Sequence, residues 1–225
     1  RFSEKHVEEL VKKFTLTLWN TYSFFVTYAN IDQWDKSKMQ ENFKPKHKLD
    51  QWLLSELHQL IATVTQGMDD YNLTKATRPM LDFVDNLSNW YIRRSRRRFW
   101  KSENDADKFE AYQTLYMVLT NVAQLLAPFM PFVADEIYKN LTNEPSVHLQ
   151  DWPKAQTSYV NEKLNFENKI VRQIVALGHA VRDKANIKVR QPLGLVQIAL
   201  PANVDEKLVL AQKNVITEEL NVKDL

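Results

Sequence analysis

The chain has 225 residues, 44% hydrophobic and 26% charged, with a net charge of +2. That length suits one large domain or a domain plus an appendage, and the near-balanced charge excludes a uniformly basic polyanion binder. Cysteine is absent and the five histidines are scattered with no i, i+4 pair, which excludes disulfides and thiolate zinc sites and argues against any protein-held zinc.

Helical periodicity opens the chain. Val7, Leu10, Val11, Phe14, Leu18, Tyr22 and Phe25 form one apolar stripe on a helix from about Ser3 to Ala29. The polar, lysine-rich stretch Asn30–Lys48, with Pro45, reads as a loop. Asp50 is placed to cap a second helix carrying Leu53, Leu57, Leu60, Ile61, Val64 and Met68. Asn72 marks a turn, and a third helix starts near Thr74, bends at Pro79 and runs to Trp100. Asp105 caps a fourth helix that ends before Pro128, and a fifth spans Phe132–Leu141. The stretch 143–160, with Pro145 and Pro153, reads as a linker. A long helix then covers Asn161–Ala185, followed by β-like pieces at Ile187–Arg190 and Leu195–Leu200 and a last helix over Val204–Leu220. The chain stops at Leu225, where another strand would begin. The expected fold class is mainly α: an antiparallel helical bundle over 1–142, then, over 161–225, a helix leading into a small truncated α+β piece.

Two uncharged runs, Phe14–Ile31 and Ala111–Ala134, raise the question of a membrane span. Both hold polar residues, and Pro128 and Pro131 break the second, so both read as buried core helices. Arg1 stands where a complete chain would have Met, with no signal peptide after it, which reads as a piece of a longer protein.

Catalysis finds little support. A phosphate-cradling loop needs closely spaced glycines, and Gly67, Gly178 and Gly194 are isolated. Neighbouring acids on a helix do not face each other, so Asp69 and Asp70 read as a solvated helix end. Asp135 and Glu136 read as a helix-terminal charge effect or as partners for an arginine.

One segment stands apart: NLSNWYIRRSRRRFWK, Asn86–Lys101. It holds Arg93, Arg94, Arg96, Arg97, Arg98 and Lys101, no acid, and the aromatics Trp90, Tyr91, Phe99 and Trp100. Guanidinium groups pair phosphates and stack on bases, and aromatic rings serve as platforms for unstacked bases. On a helix, Arg93, Arg97 and Lys101 align along one side, while Arg94 and Arg98 lie nearer the core stripe. The competing readings are a solvated helix end favoured by the C-terminal dipole, structural ion pairs for Arg94 and Arg98, and core packing for the aromatics. A weaker basic stretch follows: Arg172, Arg182, Lys184, Lys188 and Arg190, opposed by Asp183.

These residues carry a family likeness. NLSNWYIRRSRRRFW resembles the signature helix in the anticodon-binding domain of isoleucyl-tRNA synthetases, a class I aminoacyl-tRNA synthetase family. AYQTLY (Ala111–Tyr116) and LLAPFMPFVADEIY (Leu125–Tyr138) are similar to its next two helices. SVHLQDWP (Ser146–Pro153) is similar to its exit segment, and AVRDKANIKVRQPL (Ala180–Leu193) resembles the start of its C-terminal junction region. The likeness covers nearly the whole chain and implies a cytoplasmic ligase that charges the isoleucine tRNA. That ligase would use ATP and magnesium in catalytic and editing domains upstream, with no cofactor and no catalytic residue in this stretch. The family's HIGH and KMSKS signatures are absent, and KSKM (Lys36–Met39) reads as a loop. The implied RNA contacts are Arg93, Arg97 and Lys101 on phosphates, then Arg96 and Arg98, with Trp100 as a stacking platform. Trp19 and Asn20 fall where related methionyl enzymes place anticodon-reading residues, although by residue type Trp19 is also a core candidate. The alternatives are a valyl or leucyl synthetase region, or a helical protein-interaction domain whose arginines meet an acidic partner.

Overall fold

The computed structural model describes residues 3–100, 105–202 and 204–225. The chain divides into two compact units that meet in sequence at Val160 and Asn161.

The first unit is helical. α1 (Glu4–Leu10) passes through a π-turn at Val11–Thr15 into α2 (Leu16–Ile31). Phe14, Leu18, Tyr22, Phe25 and Ala29 are buried, but Val7, Leu10 and Val11 are exposed, contrary to the single stripe expected. The π-turn explains the difference. One inserted residue advances helix phase by about 100°, which turns the first two helical turns off the core face.

α3 (Lys48–Asp69) is buried on most of its circumference by Trp52, Leu53, Leu54, Leu57, Leu60, Ile61 and Val64. Its cap is not Asp50. His47 takes that role, its Nδ1 accepting from the Leu49 amide, and Asp50 lies inside the first turn. α4 (Leu73–Asn86) is capped by Asn72, whose Oδ1 accepts from Lys75 N at 2.9 Å, and it contains Pro79. α3 and α4 approach closely at Gly67, where a Cβ would stand 2.7 Å from the backbone nitrogen of Ala76.

The helix that follows the arginine segment, α6 (Asp105–Leu126), is buried nearly all round, with Ala111, Tyr112, Leu115, Val118, Leu119, Val122 and Leu125 in the core. That position accounts for the uncharged run from Ala111 to its end, since a helix stretch apolar on every side belongs at a centre. Its buried Gln113 pairs twice with the Gln40 backbone at 2.9 Å, clamping the 30–48 loop onto the helix. No helix among the described residues is long and apolar enough to cross a membrane. α7 (Pro131–Thr142) starts with proline, whose missing N–H costs nothing there, and ends on Asn143 at φ 59.

Residues 143–160 lie along this first unit. Trp152 Nε1 donates to Thr65 Oγ1 at 2.8 Å, and Tyr159 Oη donates to the Phe43 carbonyl at 2.6 Å. The carboxylate of Asp135 accepts from Ser146 Oγ at 2.6 Å and from Val147 N at 2.9 Å and pairs with Lys139 at 3.8 Å, so it ties down the exit segment and pairs with no arginine among the described residues. Those bonds hold its carboxyl below the usual range.

The second unit is α+β. α8 (Glu162–Lys184) packs against α10 (Lys213–Leu220), which α9 (Glu206–Ala211) precedes; the expected single last helix breaks at Gln212. β1 (Leu193–Leu195) pairs in parallel with β2 (Val222–Asp224), with Leu193 opposite Val222. β2 is a strand that the sequence reading placed nowhere, lying just before the last residue. The expected strand at Ile187–Arg190 is a turn. Buried Arg182 helps to hold it, donating from Nη1 to the carbonyls of Lys188 and Gln191 at 3.2 and 3.1 Å. Of the second expected strand only Leu195 lies in β1.

Candidate nucleic-acid interface

The arginine segment continues directly from α4. A π-turn at Leu87–Ile92 leads into α5 (Arg93–Trp100). Leu87, Tyr91, Ser95 and Phe99 are all buried, although they are spaced four apart. In a regular α-helix such a series drifts about 40° per step, roughly 120° from Leu87 to Phe99. The residue inserted by the π-turn takes back about 100° of that drift and keeps the series on the core face. It thereby decides which arginines face outward.

Arg98 faces inward, its side chain 10% exposed. Its Nη1 and Nη2 donate to both oxygens of Asp50 at 2.7 Å, its Nε donates to Asp107 Oδ2 at 3.0 Å, and Nη2 reaches Asp107 Oδ1 at 2.8 Å. Asp50 is fully buried and also accepts from Tyr91 Oη at 2.6 Å. This clasp ties α3, α5 and α6 together. Burial opposes the charge on Arg98, but the hydrogen bonds and charge of Asp50 outweigh it and raise its pKa. Burial and the Asp50 charge drive the Tyr91 phenol well above its usual range, so Tyr91 stays a donor. Arg98, expected among the RNA contacts, therefore takes the structural alternative.

Three of the segment's other arginines face solvent. Arg93, Arg96 and Arg97 are exposed, and Arg96 and Arg97 enter no ion pair among the described residues. Arg93 Nε donates to the Asn89 carbonyl at 2.9 Å. Arg94 is half-buried over the Trp90 ring, 5.2 Å from its centroid. Lys101 lies outside the described residues. Trp100 is 56% exposed, and its ring lies 6.4 Å from Tyr28 of α2. It also sits one helical turn beyond Arg96 and Arg97 on the same surface. Trp19 is no core residue: it is 38% exposed, with its ring 5.1 Å from Tyr22, and Asn20 beside it is exposed.

The structure thus joins an exposed guanidinium face to an exposed indole and anchors both through Arg98. Sequence reasoning missed Asp50 and Asp107 as the anchors and Tyr28 as the neighbour of Trp100. No local signal marks them, because the Asp50–Arg98 contact spans 48 positions. Among the described residues no group of histidines and acids could hold a metal ion.

Known proteins share this arrangement of sequence. The family described as the anticodon-binding domain of tRNA ligase matches residues 50–199, a stretch that includes the clasp and the arginine helix. The chain belongs to that family. It is 51% identical over its whole length to the isoleucine–tRNA ligase of Dehalococcoides mccartyi (strain ATCC BAA-2266), covering 23% of that protein. It is 44% identical to the isoleucine–tRNA ligases of Protochlamydia amoebophila and Clostridium novyi, over 100% and 99% of this chain and 22% of each of theirs. The chain therefore spans about a quarter of the length of these relatives, and the isoleucyl likeness read from NWYIRRSR and IKVRQPL holds. Among solved structures, a LeuRS–tRNA–LeuAMS complex from Agrobacterium radiobacter K84 aligns over 93% of this chain and 22% of its own, at 14% identity and TM-score 0.46.

Proposed function

We propose that this chain is the anticodon stem-loop-binding module of an isoleucine–tRNA ligase, a cytoplasmic enzyme that charges its tRNA at the expense of ATP. The observation that carries the reading is the outward face of α5, where Arg93, Arg96 and Arg97 stand exposed beside Trp100 on a helix pinned by the Arg98 clasp. Arg93, Arg97 and Lys101 pair with phosphates, and Arg96 supports them. Trp100 offers a ring to an unstacked base, and Asn20, next to Trp19, offers an amide that donates to and accepts from a base edge.

The charging chemistry belongs to the rest of such a ligase. ATP and magnesium would bind there. The partners are the isoleucine tRNA and the catalytic and editing domains.

The test is fluorescence anisotropy of labelled isoleucine tRNA against this chain at two salt concentrations, with an anticodon-swapped tRNA as control. Preference for the cognate anticodon that persists at higher salt is expected. Equal, salt-sensitive binding to both would reduce the surface to a general basic one, and tight binding to acidic proteins without RNA preference would replace the reading.

A further inference from the structure

The second unit holds a buried cation that the anticodon reading does not use. Arg182, near the end of α8, is 4% exposed. Its partners are three carbonyls: Lys188 and Gln191 through Nη1 at 3.2 and 3.1 Å, and Asn221 through Nη2 at 3.1 Å. It forms no ion pair with a carboxylate among the described residues. Burying a charge is costly unless it is compensated, and carbonyl dipoles compensate only in part.

What that charge holds is a turn. Asn186 at φ 54 ends α8, Gln191 N donates back to the Lys188 carbonyl at 2.9 Å, and Asn221 Nδ2 donates to the Val189 carbonyl at 3.0 Å. The turn is locked on both flanks. Its outward side chains are Lys188 and Arg190, both exposed and without an ion pair among the described residues; Lys184 stands exposed one turn earlier. The dipole at the C-terminus of α8 accounts for Lys184, whereas Lys188 and Arg190 lie beyond the helix and gain little from it. Asp183 is exposed, Asp224 is paired with Lys213, and Glu219 of α10 is buried and partnered.

We infer that the turn from Lys188 to Gln191 is a second phosphate-binding site, in which Lys188 and Arg190 grip the phosphodiester backbone of the RNA while Arg182 holds the turn in shape. The inference rests on the RNA-binding reading above. Phosphate contacts of this kind position an RNA without reading its sequence.

The test is the double substitution Lys188→Ala with Arg190→Ala, titrated against labelled isoleucine tRNA over a range of salt concentrations and melted in parallel. Both side chains are exposed, so the melting temperature should stay at the parent value. Binding should weaken, and the slope of log affinity against log salt should become shallower by about 0.7–0.9 for each phosphate that is no longer neutralised. Preference between cognate and swapped anticodons should not change. The Lys188→Gln, Arg190→Gln pair should behave alike, which separates charge from side-chain volume. A parent-like affinity and slope in both pairs, with the parent chain binding tRNA, would overturn this site and leave the anticodon reading intact. No tRNA binding by the parent chain would overturn both.

Discussion

Arg98→Ala should destabilise the bundle rather than merely weaken its grip on RNA. The substitution leaves Asp50, fully buried, without either bond from the guanidinium fork, and with the Tyr91 hydroxyl still donating to it. Removing one partner of a buried ion pair costs about 3–5 kcal/mol, because the charge left behind cannot reach water. In a protein of this size each kcal/mol lowers the melting temperature by about 2–4 °C, so a fall of roughly 6–20 °C is expected. The neighbouring Arg97→Ala removes an exposed side chain and should stay within about 0.5 kcal/mol of the parent. Circular dichroism melts of the two variants beside the parent chain make the comparison. Equal melting temperatures for all three, with tRNA affinity lost in Arg98→Ala, would show Arg98 to be an RNA contact and refute the clasp.

Leu87→Ala truncates a side chain with no exposure at the entry to the π-turn and should cost about 2–5 kcal/mol, measured by urea unfolding. Arg93→Ala and Arg97→Ala should each weaken tRNA binding in the anisotropy assay while the helical signal stays at the parent level. Stability should also fall on mild acidification through His58. Burial lowers its pKa from an ordinary value of 6.5, and its Nδ1 accepts from the Gln156 amide at 3.2 Å, so the folded state needs the neutral ring. The unfolded chain takes up the proton first, and this contribution is complete above pH about 6.5 and lost as pH drops from there toward the lowered folded-state pKa. A His58→Gln variant should show a flatter melting temperature between pH of about 7.5 and 5, and an unchanged slope would remove His58 from the account.

The run of residues decided a good deal alone. Scarce glycine, absent cysteine and apolar spacings near 3.6 point to long helices, and the positions of most helices follow from periodicity, Asn72, Pro131 and Asn143. The arginine–aromatic segment was visible as chemistry for the same reason: charge density without acids is a local property of the chain. Orientation was not local. Whether Arg93, Arg97 or Arg98 faces water depends on a π-turn whose inserted residue shifts the helix phase, and on acids at 50 and 107 that meet Arg98 only after α3, α5 and α6 pack. Asp50 looked like a cap because its neighbours in sequence are those of a helix start; burial beside a guanidinium and a phenol gave it another role. The segment Ile187–Arg190 has strand-like alternation, yet a charge on α8 and a carbonyl at Asn221, 39 positions apart, help curl it into a turn. Spacing along one element is dictated by the backbone period, whereas the partner of a buried charge is set by which distant elements come together.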